Sequence, residues 1–181
     1  MILVVAATRF ELEGADPASA LECGIGPVEA GIRTTAALLE RRPSAVLHVG
    51  IAGARRGCGV ELLDCIIGSH AVYCDASSPD QRALLADPVL LDSARSALPE
   101  ARVLPIGTAA RVGGAREAEI EAMEGYAVLR AAQLAGVPAL EVRVISNEIE
   151  ETDRARWRFD EAFARLREVT ETLLSALLLV P

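Results

Sequence analysis

The sequence predicts a three-layer α/β/α domain with a central mixed β-sheet. Short apolar runs with the length of buried strands alternate along the chain with segments whose apolar residues recur at helical spacing. That order of elements places helices on the faces of a sheet. Polar residues and glycines follow several of the strand-like runs, where open α/β sheets bind their ligands. With 181 residues and 51% apolar content, we expect residues 1–181 to form one domain.

The first part of the chain alternates strand and helix patterns. The predicted elements are a strand at Ile2–Ala7, a strand at Ala20–Cys23, a helix at Val28–Arg41, a strand at Ala45–Val49 and a glycine-rich turn at Gly50–Gly53. Pro27 suits the first turn of the predicted helix. Between Glu11 and Gly24 the length allows a shortened helix and one strand.

The middle of the chain is predicted to be rich in strands. We expect strands at Glu61–Gly68, Ala71–Tyr73 and Arg102–Ile106, and one amphipathic helix at Pro88–Leu98 within a polar segment, residues 77–99. Residues 111–118 form a glycine-containing linker.

The last part begins with a helix over Met123–Ala135, with Glu121 and Glu124 at its head. The helix ends at Gly136 with Pro138 two residues on, which is a standard stop signal. Ala139–Ile145 follows as a buried strand. Arg158–Leu179 is predicted as the last helix.

Composition excludes several classes of function. The net charge of −8, without a basic run, argues against nucleic acid or an anionic membrane as a partner. All 18 basic residues are arginine. Without lysine there is no Walker lysine, Schiff-base lysine or pyridoxal-phosphate anchor.

The cysteines do not favour a metal site. Cys23, Cys58, Cys65 and Cys74 form no Cys-x-x-Cys pair, and the chain has only 2 histidines to join them. Isolated thiols favour a reducing cytoplasm. The amino end lacks the basic region of a signal peptide, and no apolar run reaches the length of a membrane span.

Two sequence blocks carry the functional prediction. On spacing alone, Glu121 and Glu124 could serve the helix dipole, and Arg143 could be a structural cation. However, the run Met123-Glu124-Gly125, followed by Val142-Arg143-Val144-Ile145-Ser146-Asn147, resembles the Met-Glu and Arg-x-Ile-Ser-Asp/Asn blocks of the purine nucleoside phosphorylase and nucleosidase superfamily. The Asn ending and Arg154-x-Arg156-Trp157 are most similar to the futalosine hydrolases, which act in menaquinone biosynthesis.

The resemblance implies a phosphorylase/hydrolase-like fold and a role for each block. Glu11 would hold the attacking water and Glu124 would accept from the ribose hydroxyls. Met123 would pack under the sugar, Asn147 would bind the leaving base, and Arg143 would keep the carboxylate near the water ionised. None of these roles needs a metal or a cofactor.

Four further residues are expected to contact the substrate. Gly50, Ile51 and Ala52 belong to a Gly-Ile-Ala-Gly run that matches the futalosine hydrolases, and glycine lets the backbone approach a ligand closely. Thr108 ends another predicted strand. The resemblance also implies dimers in which a loop of the partner closes the pocket, and we expect this chain to form a homodimer or a higher homo-oligomer.

The identity of the base and of the attacking group can be argued from chemistry. A 6-oxopurine offers two acceptors, O6 and N7, to which the amide of Asn147 can donate, so hypoxanthine is a better match than adenine. A glutamate at the water position repels phosphate, so Glu11 favours hydrolysis. Arg9, Arg33 and Arg55 keep phosphorolysis open.

Two alternatives therefore remain beside a futalosine-type hydrolase. One is a methylthioadenosine/adenosylhomocysteine nucleosidase or a purine nucleoside phosphorylase. The other is a member that binds a nucleoside without cleaving it, because the region after Glu11 lacks a full helix and a hairpin found in the relatives.

Overall fold

The computed structural model describes residues 1–76, 83–116 and 118–178. Within these ranges, the chain forms eight strands and four α-helices. In chain order the elements are β1 (Ile2–Ala6), a 3₁₀ helix (Arg9–Leu12), β2 (Ala20–Glu22), α1 (Pro27–Arg41), β3 (Ala45–Ala54), β4 (Cys65–Tyr73), β5 (Ala83–Leu85), α2 (Pro88–Ala97), β6 (Arg102–Thr108), β7 (Ile120–Ala122), α3 (Gly125–Ala135), β8 (Ala139–Glu148), a 3₁₀ helix (Arg154–Arg156) and α4 (Phe159–Leu177).

All eight strands belong to one mixed sheet, in the order β2-β1-β3-β7-β6-β4-β5, with β8 pairing both β3 and β4. Strand β8 is parallel to β3 and antiparallel to β4. Strand β7 is antiparallel to β3 and parallel to β6. Since β6 also pairs with β4, the strands β3, β8, β4, β6 and β7 close into a ring.

The helices cover both faces of the sheet, which confirms the predicted three-layer α/β/α architecture. Strand alternation divides β1 between the two layers. Leu3 and Val5 pack against α1 and α3, whereas Val4 faces the layer formed by α2 and α4. A third apolar cluster includes Ile66 and Ile120 and belongs to the strands of the ring.

Two predictions about strand boundaries differ from the structure. The Gly50–Gly53 segment is not a turn, because β3 continues to Ala54 through pairing with β8 and β7. The segment Glu61–Asp64 is not extended either. Its backbone turns, with Leu63 at a φ of 72° and the Asp64 carboxylate accepting from the Glu61 N–H at 2.9 Å, and the strand begins at Cys65.

The head of α3 differs as well. Glu121 lies in β7, paired with Gly53 and Gly107, and only Glu124 stands at the helix start. Gly136 ends the helix in the left-handed region, with a φ of 68°, as predicted.

Part of the predicted middle segment, residues 77–82, lies outside the described residues, as do residue 117 of the predicted linker and residues 179–181. In the part of the chain that is described, no helix is long and apolar enough to cross a membrane.

Candidate active site

A cavity of about 200 Å³ opens at the carboxyl ends of β1, β3 and β8. Its polar part, which we call the floor, contains Glu11, Glu124 and Asn147. Its apolar part, which we call the aromatic wall, contains Phe10, Trp157, Phe159 and Phe163. The cavity is also lined by Ala7, Thr8, Ile25, Ile51, Ala52, Gly53, Val112, Glu121, Ala122, Met123, Ser146 and Arg154.

Glu11 is fixed by the turn that follows β1. Thr8 precedes the 3₁₀ helix, and its backbone N–H and hydroxyl both donate to Glu11 Oε2 at 2.9 Å. The bond from the Thr8 N–H to the carboxylate is the half of a capping box that the glutamate supplies. The other oxygen, Oε1, accepts from the Ile51 N–H at 3.0 Å. The carboxylate, with the residue only 5% exposed, is therefore held from two strands and cannot rotate freely.

Glu124 joins two helix starts. It precedes the first residue of α3, and its Oε1 accepts from the backbone N–H of Gly26, the residue before α1, at 3.0 Å. The positive end of a helix dipole stabilises a carboxylate at this place. Burial nevertheless raises the pKa of Glu124, and the nearby Arg143 opposes that rise.

Arg143 lies directly behind the two carboxylates and is the largest fully buried side chain of the described core. Its Nε donates to Glu141 at 2.8 Å, and one terminal nitrogen lies 2.5 Å from His48 Nε2 and 3.6 Å from Glu124 Oε2. Burial acts to lower the pKa of Arg143, but Glu141 and Glu124 raise it above the usual value. The guanidinium is therefore a permanent positive charge.

His48 must be neutral to accept this contact. Its Nδ1 lies 2.9 Å from the carbonyl oxygen of Val5, which can only accept, so the proton is on Nδ1. Nε2 is then the acceptor for Arg143. Burial, together with the charge of Arg143, lowers the pKa of His48 well below its ordinary value of 6.5.

Asn147 is oriented by its neighbours at the end of β8. The register of the β3–β8 pair shifts after Ala52, so that Asn147 pairs with Gly53. The Ser146 hydroxyl lies 2.8 Å from Oδ1, and Nδ2 donates to the Glu148 carbonyl at 2.9 Å. One hydrogen of the Asn147 amide nitrogen therefore remains for a ligand in the cavity.

The aromatic wall is a continuous row of rings. Successive ring centroids lie 6.1 Å apart from Phe10 to Phe163, 6.1 Å apart from Phe163 to Phe159, and 5.4 Å apart from Phe159 to Trp157. Arg154 stacks on Trp157, with 5.0 Å from its guanidinium carbon to the ring centroid. The chain has 3 phenylalanines and 1 tryptophan in all, and every one of them lines this cavity.

The structure brings most of the predicted site residues together. Glu11, Glu124, Asn147 and Met123 line one cavity, as do Ile51 and Ala52. Their chemical roles stay predictions.

Three predicted site residues lie behind the lining instead. Arg143 is buried beneath it. Gly50 pairs directly with Arg143, where a Cβ would lie 2.0 Å from the guanidinium. Thr108 is fully buried, and its hydroxyl accepts from the Tyr126 N–H at 2.8 Å, so it supports the start of α3 and does not line the cavity.

Several residues of the site were not predicted. Ser146, His48 and Glu141 act through contacts that no local pattern indicates. The aromatic wall could have been suspected, because four of the few aromatic residues lie close to the predicted motifs in the sequence. Glu121 also lines the cavity, but both of its oxygens are occupied by the Gly113 and Ala115 N–H groups, at 2.6 and 2.7 Å.

No metal site accompanies this cavity in residues 1–76, 83–116 and 118–178, where no group of three or more His, Cys, Asp or Glu side chains is arranged to hold an ion.

Residues 6–179 match the sequence profile of the Phosphorylase superfamily, and the chain belongs to that family. Its structure is similar to that of S-adenosylhomocysteine nucleosidase from Streptococcus pyogenes, with a TM-score of 0.84 over 97% of this chain and 96% of the other, at 19% identity. A futalosine hydrolase mutant from Helicobacter pylori gives a TM-score of 0.84 over 96% and 98% of the two chains, also at 19% identity.

Sequence relatives carry the comparison further. The chain is 32% identical to futalosine hydrolase from Acidothermus cellulolyticus, over 88% of this chain and 76% of the relative. It is 28% identical to futalosine hydrolase from Thermus thermophilus, over 86% and 80% of the two chains. The match to the Streptomyces coelicolor futalosine hydrolase is 47% identical, but it covers 39% of this chain and 32% of that relative.

These findings confirm the resemblance drawn from the Met-Glu and Arg-x-Ile-Ser-Asn blocks. They also confirm the prediction of a hydrolase that acts on N-glycosyl compounds.

Proposed function

We propose that the protein hydrolyses the N-glycosidic bond of a 6-oxopurine nucleoside, with futalosine as the substrate and hypoxanthine as the released base. The observation that carries the proposal is the convergence of Glu11, Glu124 and Asn147 on one cavity. Each of the three is held in place by hydrogen bonds from the fold, which is the preorganisation that transition-state stabilisation requires. Such a reaction would place the protein in menaquinone biosynthesis.

The leaving base would be bound by Asn147. Because Nδ2 uses one of its two hydrogens on the Glu148 carbonyl, the second is a donor available to the cavity. A 6-oxopurine offers acceptors at O6 and N7, and a donated hydrogen bond stabilises the electrons that return to the ring when the bond breaks. A 6-aminopurine would place its own donor against this amide.

The sugar and the water would be handled by the two carboxylates. Glu124 Oε2, which carries no hydrogen bond from the described chain, would accept from the ribose hydroxyls, while Met123 packs under the ring. Glu11 would hold the water on the opposite face of the sugar and take its proton. Arg143, beneath both, would stabilise their negative charge.

The phosphorylase alternative has less support. It requires cations where phosphate would bind, yet Arg9, Arg33 and Arg55 do not line the cavity. Arg154 does line it, but it stacks on Trp157 at the aromatic wall and does not lie on the floor. Arg33 pairs with Glu29, and Arg55 pairs with Glu150. The structural similarity does not favour the nucleosidase alternative, with a methylthioadenosine-type substrate, because the S-adenosylhomocysteine nucleosidase and the futalosine hydrolase give the same TM-score of 0.84.

Product analysis tests the proposal. The protein would be incubated with futalosine, inosine and methylthioadenosine, with and without phosphate, and the free base and sugar measured by chromatography. We expect hypoxanthine and a free sugar from futalosine at a rate independent of phosphate. A sugar phosphate would identify a phosphorylase, release of adenine in preference to hypoxanthine would identify the other nucleosidase class, and no release at all would identify a non-catalytic binding protein.

We also propose that residues 1–181 form one domain that assembles into a homodimer or a higher homo-oligomer in the cytoplasm. Exposed apolar side chains of α1 and α3 support the assembly, among them Val28, Ile32 and Leu134 at 70%, 62% and 72% exposure. Light scattering after size exclusion would measure the mass, and a monomer would contradict the assembly.

A further inference from the structure

Glu141 is a buried carboxylate that does not line the cavity. It is 1% exposed and lies on β8, two residues before Arg143, so the two side chains are on the same face of the sheet. Its Oε1 accepts from Arg143 Nε at 2.8 Å. Its Oε2 has no hydrogen-bond partner in the part of the chain that the structure describes. A buried charge is costly, so this arrangement calls for an explanation.

The contact with Glu141 completes the fixation of the Arg143 guanidinium. One terminal nitrogen is held by His48 and faces Glu124. The other terminal nitrogen, Nη1, occupies the space next to Gly50. A Cβ added to Gly50 would lie 2.0 Å from this nitrogen and 2.9 Å from Glu11 Oε1. With Nε bound to Glu141, the plane of the group is set, and its two ends are directed toward the two carboxylates of the floor.

Gly125 provides the space for this carboxylate. A Cβ on Gly125 would lie 2.1 Å from Glu141 Oε2 and 2.3 Å from Oε1, closer than any side chain can approach. A side chain at Gly125 would therefore displace the Glu141 carboxylate from its present position. The dipeptide Glu124-Gly125 therefore places Glu124 in the cavity and also leaves room for Glu141, which binds Arg143 behind the cavity.

We propose that Glu141 is a positioning residue that fixes Arg143 between Glu11 and Glu124, and that it acts through the location of its accepting oxygen and not through its charge. This inference rests on the proposed function. It assigns a role in the reaction to a side chain that contacts neither substrate nor water.

Two substitutions separate location from charge. Glu141→Gln keeps the length of the side chain and an oxygen for Nε but removes the charge, whereas Glu141→Asp keeps the charge but withdraws the oxygen by one methylene. We expect kcat of Glu141→Gln to stay within about threefold of the wild type. We expect kcat of Glu141→Asp to fall by about tenfold to a hundredfold, the range typical of lost orienting partners, with KM little changed.

Thr34→Val is the matched control, because Thr34 is also a buried polar residue whose side chain lacks a hydrogen-bond partner among the described residues, but it lies on α1 away from Arg143. Its kcat should be unchanged. The reverse pattern, with Glu141→Asp active and Glu141→Gln impaired, would show a charge effect and overturn the proposal. Equal activity of both variants would overturn it too. If Glu141→Asp does not fold, the isosteric variant Glu141→Gln tests the proposal by itself. A tenfold loss of kcat in Glu141→Gln would contradict the proposal, and a kcat close to that of the wild type would support it.

A measurement without turnover keeps this inference separate from the proposed function. The Arg143 Nε–H group can be observed by ¹H–¹⁵N NMR, and a buried hydrogen bond slows its exchange with solvent. We expect slow exchange in the wild type and in Glu141→Gln, and fast exchange in Glu141→Asp. If the wild type cleaves none of the nucleosides, the proposed function fails while this test still reports on Glu141. Slow exchange in all three proteins would show that Glu141 does not hold Arg143.

Discussion

The floor and the aromatic wall of the cavity are built in different ways. On the floor, Glu11 and Asn147 are each 5% exposed and are tied by hydrogen bonds to the backbone of two strands. On the wall, Phe10 is 52% exposed and its ring is held by contacts with another ring and an arginine.

The difference fits the roles that the proposed function gives to each part. Groups that stabilise a transition state must be fixed to within a fraction of an ångström, and strand ends provide that. The wall would contact the substrate only through ring faces, which tolerates more movement, and its rings stand on a 3₁₀ helix and around the start of α4. We therefore expect changes in the floor to alter kcat and changes in the wall to alter KM.

The largest effect is expected at Glu124. Glu124→Gln can keep an oxygen for the Gly26 N–H, but it removes the negative charge and replaces Oε2, the proposed acceptor for the ribose hydroxyls, with an NH2 group that can only donate. We expect kcat to fall by roughly 10²–10⁴, as is typical for one lost acid–base or charge-stabilising group. Glu29→Gln, at an exposed ion pair with Arg33, is the control and should remain active. An active Glu124→Gln variant would show that the carboxylate of Glu124 has no part in the mechanism.

Asn147→Asp should change which base is accepted. A carboxylate facing O6 of a 6-oxopurine leaves a buried mismatch of about 2–4 kcal/mol. The same carboxylate can accept from the amino group of a 6-aminopurine. The measurement is kcat/KM on matched 6-oxo and 6-amino nucleosides for the wild type and the variant. An unchanged ratio would mean that Asn147 does not recognise the base.

The buried residues behind the floor should also make stability depend on pH, through His48, in a way that the wall does not. Since the pKa of His48 is lowered on folding, the unfolded chain binds a proton below pH 6.5 that the folded chain does not. The stabilisation is therefore complete above pH 6.5 and is lost as the pH falls below it, by up to about 2 kcal/mol at pH 5. Denaturant unfolding of the wild type and of His48→Gln should show a difference in the free energy of unfolding that shrinks from pH 7.5 to pH 5. A constant difference would show that His48 is not held neutral.

The smallest effect is expected at the wall. Trp157→Ala removes one ring from the row and the platform for Arg154, and ring contacts of this kind contribute about 0.5–1.5 kcal/mol. KM should rise by about tenfold at most, with kcat within about twofold. Steady-state kinetics with futalosine and inosine would test this, with Trp157→Phe as the control that keeps a ring. A large loss of kcat would mean that floor and wall are not separable.

Local patterns alone determined a large part of this protein. Several features were predictable because apolar periodicity and turn chemistry are properties of neighbouring residues. These features are the start of α1 at Pro27, the end of α3 at Gly136, the buried strands β1 and β8, and the short segment after Glu11. The Met-Glu and Arg-x-Ile-Ser-Asn blocks indicated the family and the floor of the cavity.

Only the tertiary structure decided what surrounds those blocks. Arg143 meets His48 across 95 residues of sequence, and Glu11 meets the Ile51 N–H across 40. Such contacts depend on which strands pair and in which register, and no local pattern contains that information. For the same reason Gly50–Gly53 was predicted as a turn. In the folded chain its glycines continue a strand, and Gly50 leaves room for a guanidinium that β8 supplies.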